Sequence, residues 1–498
     1  MKLFLKATLL LCLATPLLAQ NSANSLKPSW WNKFLYLSSH GPDPAPGSTT
    51  SITSGVNVDV SNECGPQSET FIATNPSHPQ NLAGGSNEIF RNPMRGYSSS
   101  DSGAIWVGHD LPLPPTKGAN SSNFGSDPSL AFDSQGNLFY SYIVVFFGNG
   151  KQKGVNGSEM GVARSTDGGK SFPSVNFFSF ATGSDHFNDK PMITADANPG
   201  SPFRDSVYVA WDAASGGSSS GGIRFARSAD SGQTFTVTRI DDPTGAGQSI
   251  GAVPFVGPNG EIYVAWNDLA NNAIMFNRSL NGGLTFGSQS VLATKNLGLQ
   301  SNIPAESFRG ALVYPACAAD LSSGVHRGRL YCSWMDSTPS GNTDIFFSFS
   351  DNRGATWSAP VTVADLLPNV DRFNHWMAVD PVNGDVNFSF YDTRNDITGF
   401  RFQTDIFFTQ SVNGGVSFSS PNTRITTLSS NEHDCNGMFP CAGIDLGNQQ
   451  GDYEGLSSFG GVSHLIWTDS RLNLDSASGC KSNLLMEEVF AATVTGTK

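Results

Sequence analysis

Ser165-Thr166-Asp167-Gly168-Gly169-Lys170-Ser171-Phe172 is one of six segments sharing a pattern that decides how these 498 residues fold. The others are Ser228-Ala-Asp230-Ser-Gly232-Gln-Thr234-Phe235, Ser279-Leu-Asn281-Gly-Gly283-Leu-Thr285-Phe286, Ser350-Asp-Asn352-Arg-Gly354-Ala-Thr356-Trp357, Ser411-Val-Asn413-Gly-Gly415-Val-Ser417-Phe418 and a weaker Ser99-Ser-Asp101-Ser-Gly103-Ala-Ile105-Trp106. The first serine recurs every 51 to 71 residues. Each position has a physical reason. The Asp or Asn side chain accepts hydrogen bonds from the amides of its own turn, glycine supplies positive φ, and the closing aromatic anchors the loop in the core. Six copies spread along a chain suit architecture better than one ligand or calcium loop.

Between these turns runs a second repeat: an apolar strand, a Gly- or Pro-containing turn, and a strand closing on an aromatic and an Asp. Its clearest copies are Met192 to Asp212, Val253 to Asp268, Ala316 to Asp336, Met377 to Asp392 and Leu456 to Asp469. Phe71 to Asn87 and Ser129 to Val145 lack the closing Asp and bring the hairpins to seven. First strands starting near Thr70, Pro128, Pro191, Ile250, Tyr314, His375 and Tyr453 are separated by 58, 63, 59, 64, 61 and 78 residues. A period near sixty with four strands per unit predicts an all-β propeller of seven four-stranded blades. The seventh unit has no Ser-x-Asp turn. Leu484 to Val494 reads as its third strand, and Val56 to Val60 is expected to supply its outer strand, so that both chain ends close the ring.

Composition agrees with this. Only 14% of residues are charged and 38% apolar, with 53 Gly and 28 Pro. Turn-rich β structure requires such a profile; long helices and disorder do not fit it. The formal charge of −13 repels phosphate backbones, which argues against a nucleic-acid partner.

Residues 1–19 read as a secretory signal: Lys2 and Lys6 precede the apolar run Ala7 to Leu13, then Pro16 and the small Ala19 before Gln20. No later window approaches the roughly twenty apolar residues that span a bilayer, so the mature chain is expected to be secreted or periplasmic, without stable membrane insertion. Residues 20–55, rich in Ser, Pro, Gly and Asn, read as an N-terminal arm, and 56–498 as one propeller domain. Trp30 and Trp31 in the arm suit either sugar stacking or packing on the body. Beyond the signal stand Cys64, Cys317, Cys332, Cys435, Cys441 and Cys480, an even number that permits fifteen pairings. The blade assignment favours Cys64 with Cys480 across the ring closure, Cys317 with Cys332 within one hairpin, and Cys435 with Cys441 closing a short loop. No cysteine pair has zinc-ribbon spacing, so no metal site is assigned.

The Ser-x-Asp turns resemble the Asp boxes, or bacterial neuraminidase (BNR) repeats, of the sialidase superfamily, and the chain from about Glu69 onward resembles that superfamily's propellers. The resemblance implies a propeller, with the family's six blades as the alternative count. It also implies an Arg triad for a sialic carboxylate, a Tyr–Glu nucleophile pair and an Asp acid/base. Phe90-Arg91-Asn92-Pro93 looks like the family's first-Arg motif. However, it follows a second strand, and the comparable blade start, Ser126 to Leu130, carries no Arg. Asp boxes also occur in propellers that cleave no sialic acid, so they speak more for fold than for activity.

In a propeller the first strand of each blade starts at the face where the second ends. Both hairpin termini therefore crowd one mouth of the channel, with the Ser-x-Asp turns opposite. Strand starts at that mouth carry Glu69, Asp127, Asp189 with Lys190, Gln248, Arg309, Arg372 with His375, and Asp452 with Tyr453 and Glu454. Strand ends carry Asp212, Asp268, Asp336, Asp392 with Arg394, and Asp469 with Arg471. Read as an enzyme, the chain offers Tyr453 as nucleophile activated by Glu69, Asp127 or Asp189 as the acid, and Arg309, Arg372, Arg394 and Arg471 as an anion clamp. Read structurally, the Asp of Trp-x-Asp caps a turn, Arg394 and Arg471 pair with those acids, and His375 is a packed histidine.

Two functions follow: an exo-sialidase-like glycoside hydrolase acting on glycans at the mouth, or a non-catalytic propeller binding a glycan or protein. The expected partner is a carbohydrate or glycoconjugate, or a protein under the second reading, met by a monomer that needs no cofactor; a structural calcium ion in the acidic channel suits both. Three arginines gathered around a Tyr–carboxylate pair favour the enzyme, and their dispersal into ion pairs between blades favours binding.

Overall fold

The computed structural model describes residues 30–45, 49–54, 56–63, 65–148, 154–182, 187–214, 222–242, 248–433, 450–471 and 487–495. The signal segment and Cys64, Cys435, Cys441 and Cys480 lie outside the described residues.

Seven antiparallel sheets form the seven blades. Their innermost strands are Gln67–Thr74, Ser122–Phe132, Phe187–Ala195, Ser249–Val256, Ala316–Ala319, Arg372–Val379 and Gly455–Phe459, which define blades 1 to 7. In every blade the next two strands in sequence lie progressively outward, as the hairpin repeat requires. Blade 7 is completed from the other chain end. Asn57–Asp59 pairs with Glu488–Thr495 in the register Val58 to Ala491 and Asp59 to Phe490. Ser61 Oγ adds a 2.7 Å bond to Glu488. The six-blade alternative is thereby set aside.

The Ser-x-Asp turns join third to fourth strands on the face away from the hairpin termini. In the turn of blade 2, Ser165 Oγ donates to Asp167 Oδ1 at 2.7 Å and accepts from the Gly169 amide at 2.9 Å, while Lys170 and Ser171 amides donate to Asp167 at 3.0 Å. The fifth residue of the motif needs glycine for two reasons. Gly354 has φ +78°, and a Cβ there would meet Phe276 of the neighbouring blade at 2.3 Å. The closing aromatics wedge between blades: Phe286 packs on Phe225 and Trp357 on Phe276, with centroids 4.8 and 5.4 Å apart. Packing these rings into the blade-to-blade seams supplies apolar driving force that helps hold the ring closed.

The Cys317–Cys332 disulfide joins facing residues of one hairpin in blade 5. The arm contains a helix, α1 (Trp30–His40), where composition suggests loose structure. Trp30, Phe34 and Leu37 share its buried face and pack into the cluster of Phe124, Ile143 and Phe147 on blade 2. Lys33 on that face is buried and donates to the Gly125 carbonyl at 2.8 Å, and burial pulls its amine down to about 7. No described helix is long and apolar enough to cross a membrane.

Candidate functional site

The innermost strands start irregularly. Pairing slips between Ser68 and Phe71, Ser126 and Ser129, Asp189 and Met192, Ile250 and Val253, and Phe373 and Trp376. Within these bulges Glu69, Asp127, Lys190 and Asn374 have φ of +51°, +62°, +49° and +42°, and Gly251 has +70°. A bulge re-aims a side chain that strict alternation would send elsewhere, and non-glycine residues at positive φ persist only where their surroundings hold them. Here the bulges bring three blades' charged residues together.

Lys190 is the hub. Its ammonium lies 2.6 Å from Glu69 Oε1, 2.5 Å from Asp452 Oδ2 and 3.7 Å from Asp127 Oδ1. Arg309 reaches the cluster from the segment between blades 4 and 5 and chelates Asp452, with Nε 2.6 Å from Oδ1. Asn87 donates to Glu69 at 2.6 Å, and its carbonyl oxygen accepts from the Asp127 amide and from Ser126 Oγ. Asp189 is hydrogen-bonded to Asp127 and stands across the hairpin from Asp212. Five carboxylates thus surround two cations. Glu69, Asp127, Lys190, Arg309 and Asp452 are each at most 2% exposed.

Burial and crowding set the protonation. Burial, then the neighbouring Asp212, pushes Asp189 up to about 7, and burial moves Asp127 to about 6 despite Lys190. Burial raises Glu69 and Asp212 well above the carboxylate range. For Asp452 burial acts in the same direction, but Arg309 and Lys190 outweigh it and hold the group well below that range. Burial also works against the charge on Lys190, and Asp127, Asp452 and Glu69 overcome it. The cluster therefore keeps two cations and an ionised Asp452, with a proton held between Asp127 and Asp189 near neutrality.

Of the residues expected to act together, the structure gathers Tyr453, Glu69, Asp127, Asp189 and Arg309. Tyr453 lies with its ring 5.4 Å from Lys190 Nζ and donates its hydroxyl to the Pro128 carbonyl at 3.1 Å. Burial, followed by Glu69, raises its pKa well above that of a free phenol, the reverse of what activates a nucleophile.

The other three arginines are tied elsewhere. Arg372 bridges Asp344 of blade 5 and Asp392 of its own blade, both at 2.9 Å. Arg394 pairs with Asp392 at 2.6 Å and Asp365 at 2.7 Å. Arg471 pairs with Asp469 at 2.5 Å and donates to Asn57 at 2.6 Å. The Asp residues of Trp-x-Asp behave as caps or ion-pair partners: Asp268 accepts from the Asn271 amide and Asp336 from the Asn296 and Leu297 amides. His375 is bonded to Ser333 at 2.8 Å, and burial lowers it to about 3, so it stays neutral. Among the described residues no group of three or more His, Cys, Asp or Glu side chains is arranged to hold a metal ion.

Sequence reasoning missed Asn87 as an organiser and Lys190 as the hub. The signal for Lys190 was its place before Pro191, matching Asp127 before Pro128: the same bulge position in successive blades.

No family model and no curated protein matches the chain. Among solved structures it is similar to a leech intramolecular trans-sialidase, at 12% identity and a TM-score of 0.46 over 71% of this chain and 68% of that one. The NanB sialidase of Streptococcus pneumoniae aligns at 10% identity and a TM-score of 0.44, over 68% of this chain and 66% of that one. A Trypanosoma rangeli sialidase aligns at 10% identity and a TM-score of 0.41, over 74% and 60%. At identities this low, function rests on the residues of this chain.

Proposed function

We propose that this protein is an exported, non-catalytic propeller that binds a glycan on its mouth face. The observation that carries the reading is the fate of the arginines: Arg372, Arg394 and Arg471 are each neutralised by carboxylates of their own or the adjacent blade, and only Arg309 joins the Tyr453 cluster. A carboxylate clamp needs guanidinium groups free to converge on one anion. Glu69 is engaged by Lys190 and Asn87, and Tyr453 by a backbone carbonyl, so neither is poised on the other. The resemblance of the Ser-x-Asp turns to Asp boxes supports a glycan as the ligand, and the Cys317–Cys332 disulfide supports an oxidising compartment.

One observation favours the hydrolytic reading. Asp127 and Asp189 share a hydrogen bond and have raised pKa values beside Tyr453, so a carboxyl there keeps its proton near neutrality, which is the chemistry of a general acid. A single assay separates the two readings: release of a fluorescent aglycone from a sialoside by the purified protein. No turnover by the wild-type protein is the expected result. Turnover abolished in both Tyr453→Phe and Arg372→Ala variants of intact fold would overturn the binding reading and establish a sialidase.

A further inference from the structure

Between the 338–342 turn of blade 5 and the 366–370 and 393–401 segments of blade 6 lies an open cleft of about 570 Å³. Ser340, Asn342, Asn369, Thr393 and Arg401 line it with hydroxyl, amide and guanidinium groups. Its arginines are already matched. Arg401 faces Asp371 at 3.0 Å, and Arg394, which also lines the cleft, is held by Asp365 and Asp392. Asp396, the third charged group of the lining, is held by backbone amides rather than by a cation, so an anionic ligand meets no uncompensated positive charge there.

One wall is rigid. The Asp396 carboxylate accepts from the amides of Thr398, Gly399, Arg401 and Gln403 at 2.9 to 3.3 Å. Phe400, 66% exposed, lies in sequence between the lining residues Gly399 and Arg401 and flanks the cleft without being one of its lining residues. Its ring stacks on Phe402 at 5.5 Å, Phe402 on His433 at 3.9 Å, and His433 on Phe308 at 5.4 Å. This column of four rings runs to the residue beside Arg309, bracing Phe400 against the mouth. A large exposed aromatic next to charge-matched polar groups complements a pyranose, which has an apolar C–H face and a girdle of hydroxyls.

We infer that this cleft binds a neutral oligosaccharide, with Phe400 as the stacking platform and the amide and hydroxyl groups as the orienting contacts. The inference rests on the glycan-binding reading above and gives it a place and a ligand class. It is tested by calorimetric titration of the full chain with neutral tetrasaccharides of glucose, xylose and N-acetylglucosamine, and with sialyllactose as the anionic comparison. The variants are Phe400→Ala, Asn369→Gly and, on the opposite face, Asp230→Ala. Asn369 has φ +57°, so glycine removes its amide without strain. The expected result is that a neutral saccharide binds, that each cleft variant weakens it at least tenfold at an unchanged melting temperature, and that Asp230→Ala does not. Neutral binding unaffected by both cleft variants would overturn the cleft and leave the glycan-binding reading standing. Binding of sialyllactose alone would overturn the ligand class. Binding of no saccharide would overturn both readings.

Discussion

On one face of the ring six Ser-x-Asp turns meet the same need six times with half-exposed side chains; at the other, a single cluster draws Glu69, Asp127, Lys190, Arg309 and Asp452 from different blades and buries them almost completely. The turns are local: every bond to Asp167 comes from within four residues. The cluster is not; Lys190 reaches Glu69 across 121 positions of sequence and Arg309 reaches Asp452 across 143. Local devices can be copied with the blade. A network whose members come from several blades cannot, and its strength depends on every member being present, because charges taken from water are tolerated only while paired.

The sharpest way to break the contrast is Lys190→Met. It leaves Glu69, Asp127 and Asp452 without their shared cation, so a loss of about 3–5 kcal/mol is expected in denaturant unfolding. A loss below about 1 kcal/mol would show that the cluster is no more demanding than a turn. Gly451→Ala attacks the same place by sterics. Gly451 has φ +79°, and a Cβ there would sit 2.5 Å from Glu69 Cγ and 3.0 Å from its backbone nitrogen. Strain and overpacking together should cost about 2–3 kcal/mol, read as a lowered unfolding midpoint.

A smaller effect is expected from pH. Folding raises Asp189 to about 7 and Asp127 to about 6, above the ordinary ~3.9 of an unfolded chain. The folded state therefore holds the proton more tightly. This contribution is complete below pH ~4 and is lost as pH rises through 6 to 7. Asp189→Asn keeps a hydrogen-bonding side chain that cannot ionise. Its melting temperature should gain on wild type as pH rises from 4 to 8, and a difference constant across that range would sink the shared-proton account.

The same contrast explains what could be read beforehand. The turns and hairpins announce the fold because each local copy repeats its own residues, and the closing strand near Val58 was expected because the seventh unit lacked an outer strand that Val56 to Val60 could supply. The cluster was harder to read. Alternation along a strand says which residues share a face, but bulges at Glu69, Asp127 and Lys190 break that rule where it matters. The arginines were readable in part: Asp392-x-Arg394 and Asp469-x-Arg471 place acid and base within reach inside one loop, and the structure pairs them so. Helix α1 was hidden by the Ser- and Pro-rich composition around it, although Trp30, Phe34 and Leu37 fall at helical spacing.

The smallest effect belongs to the repeated face. Its slight burial disfavours the charge on Asp230, yet bonds from Thr234, Ser228 and Gln233 lower it to about 2, so its contribution is present above pH ~4 and lost as pH falls through 2. Being mostly exposed, its bonds compete with water, and Asp230→Ala should cost about 1 kcal/mol or less in denaturant unfolding. What distinguishes turn from cluster is then additivity. Asp167 and Asp230 serve separate blades and share no partner, so the double Ala variant should lose the sum of the single losses within about 0.5 kcal/mol. Lys190 and Asp452 are in contact, and removing both should cost far less than the sum, since the second substitution removes a charge the first has already stranded. Additive losses at Lys190 and Asp452 would mean that the mouth, like the turns, is built of independent parts.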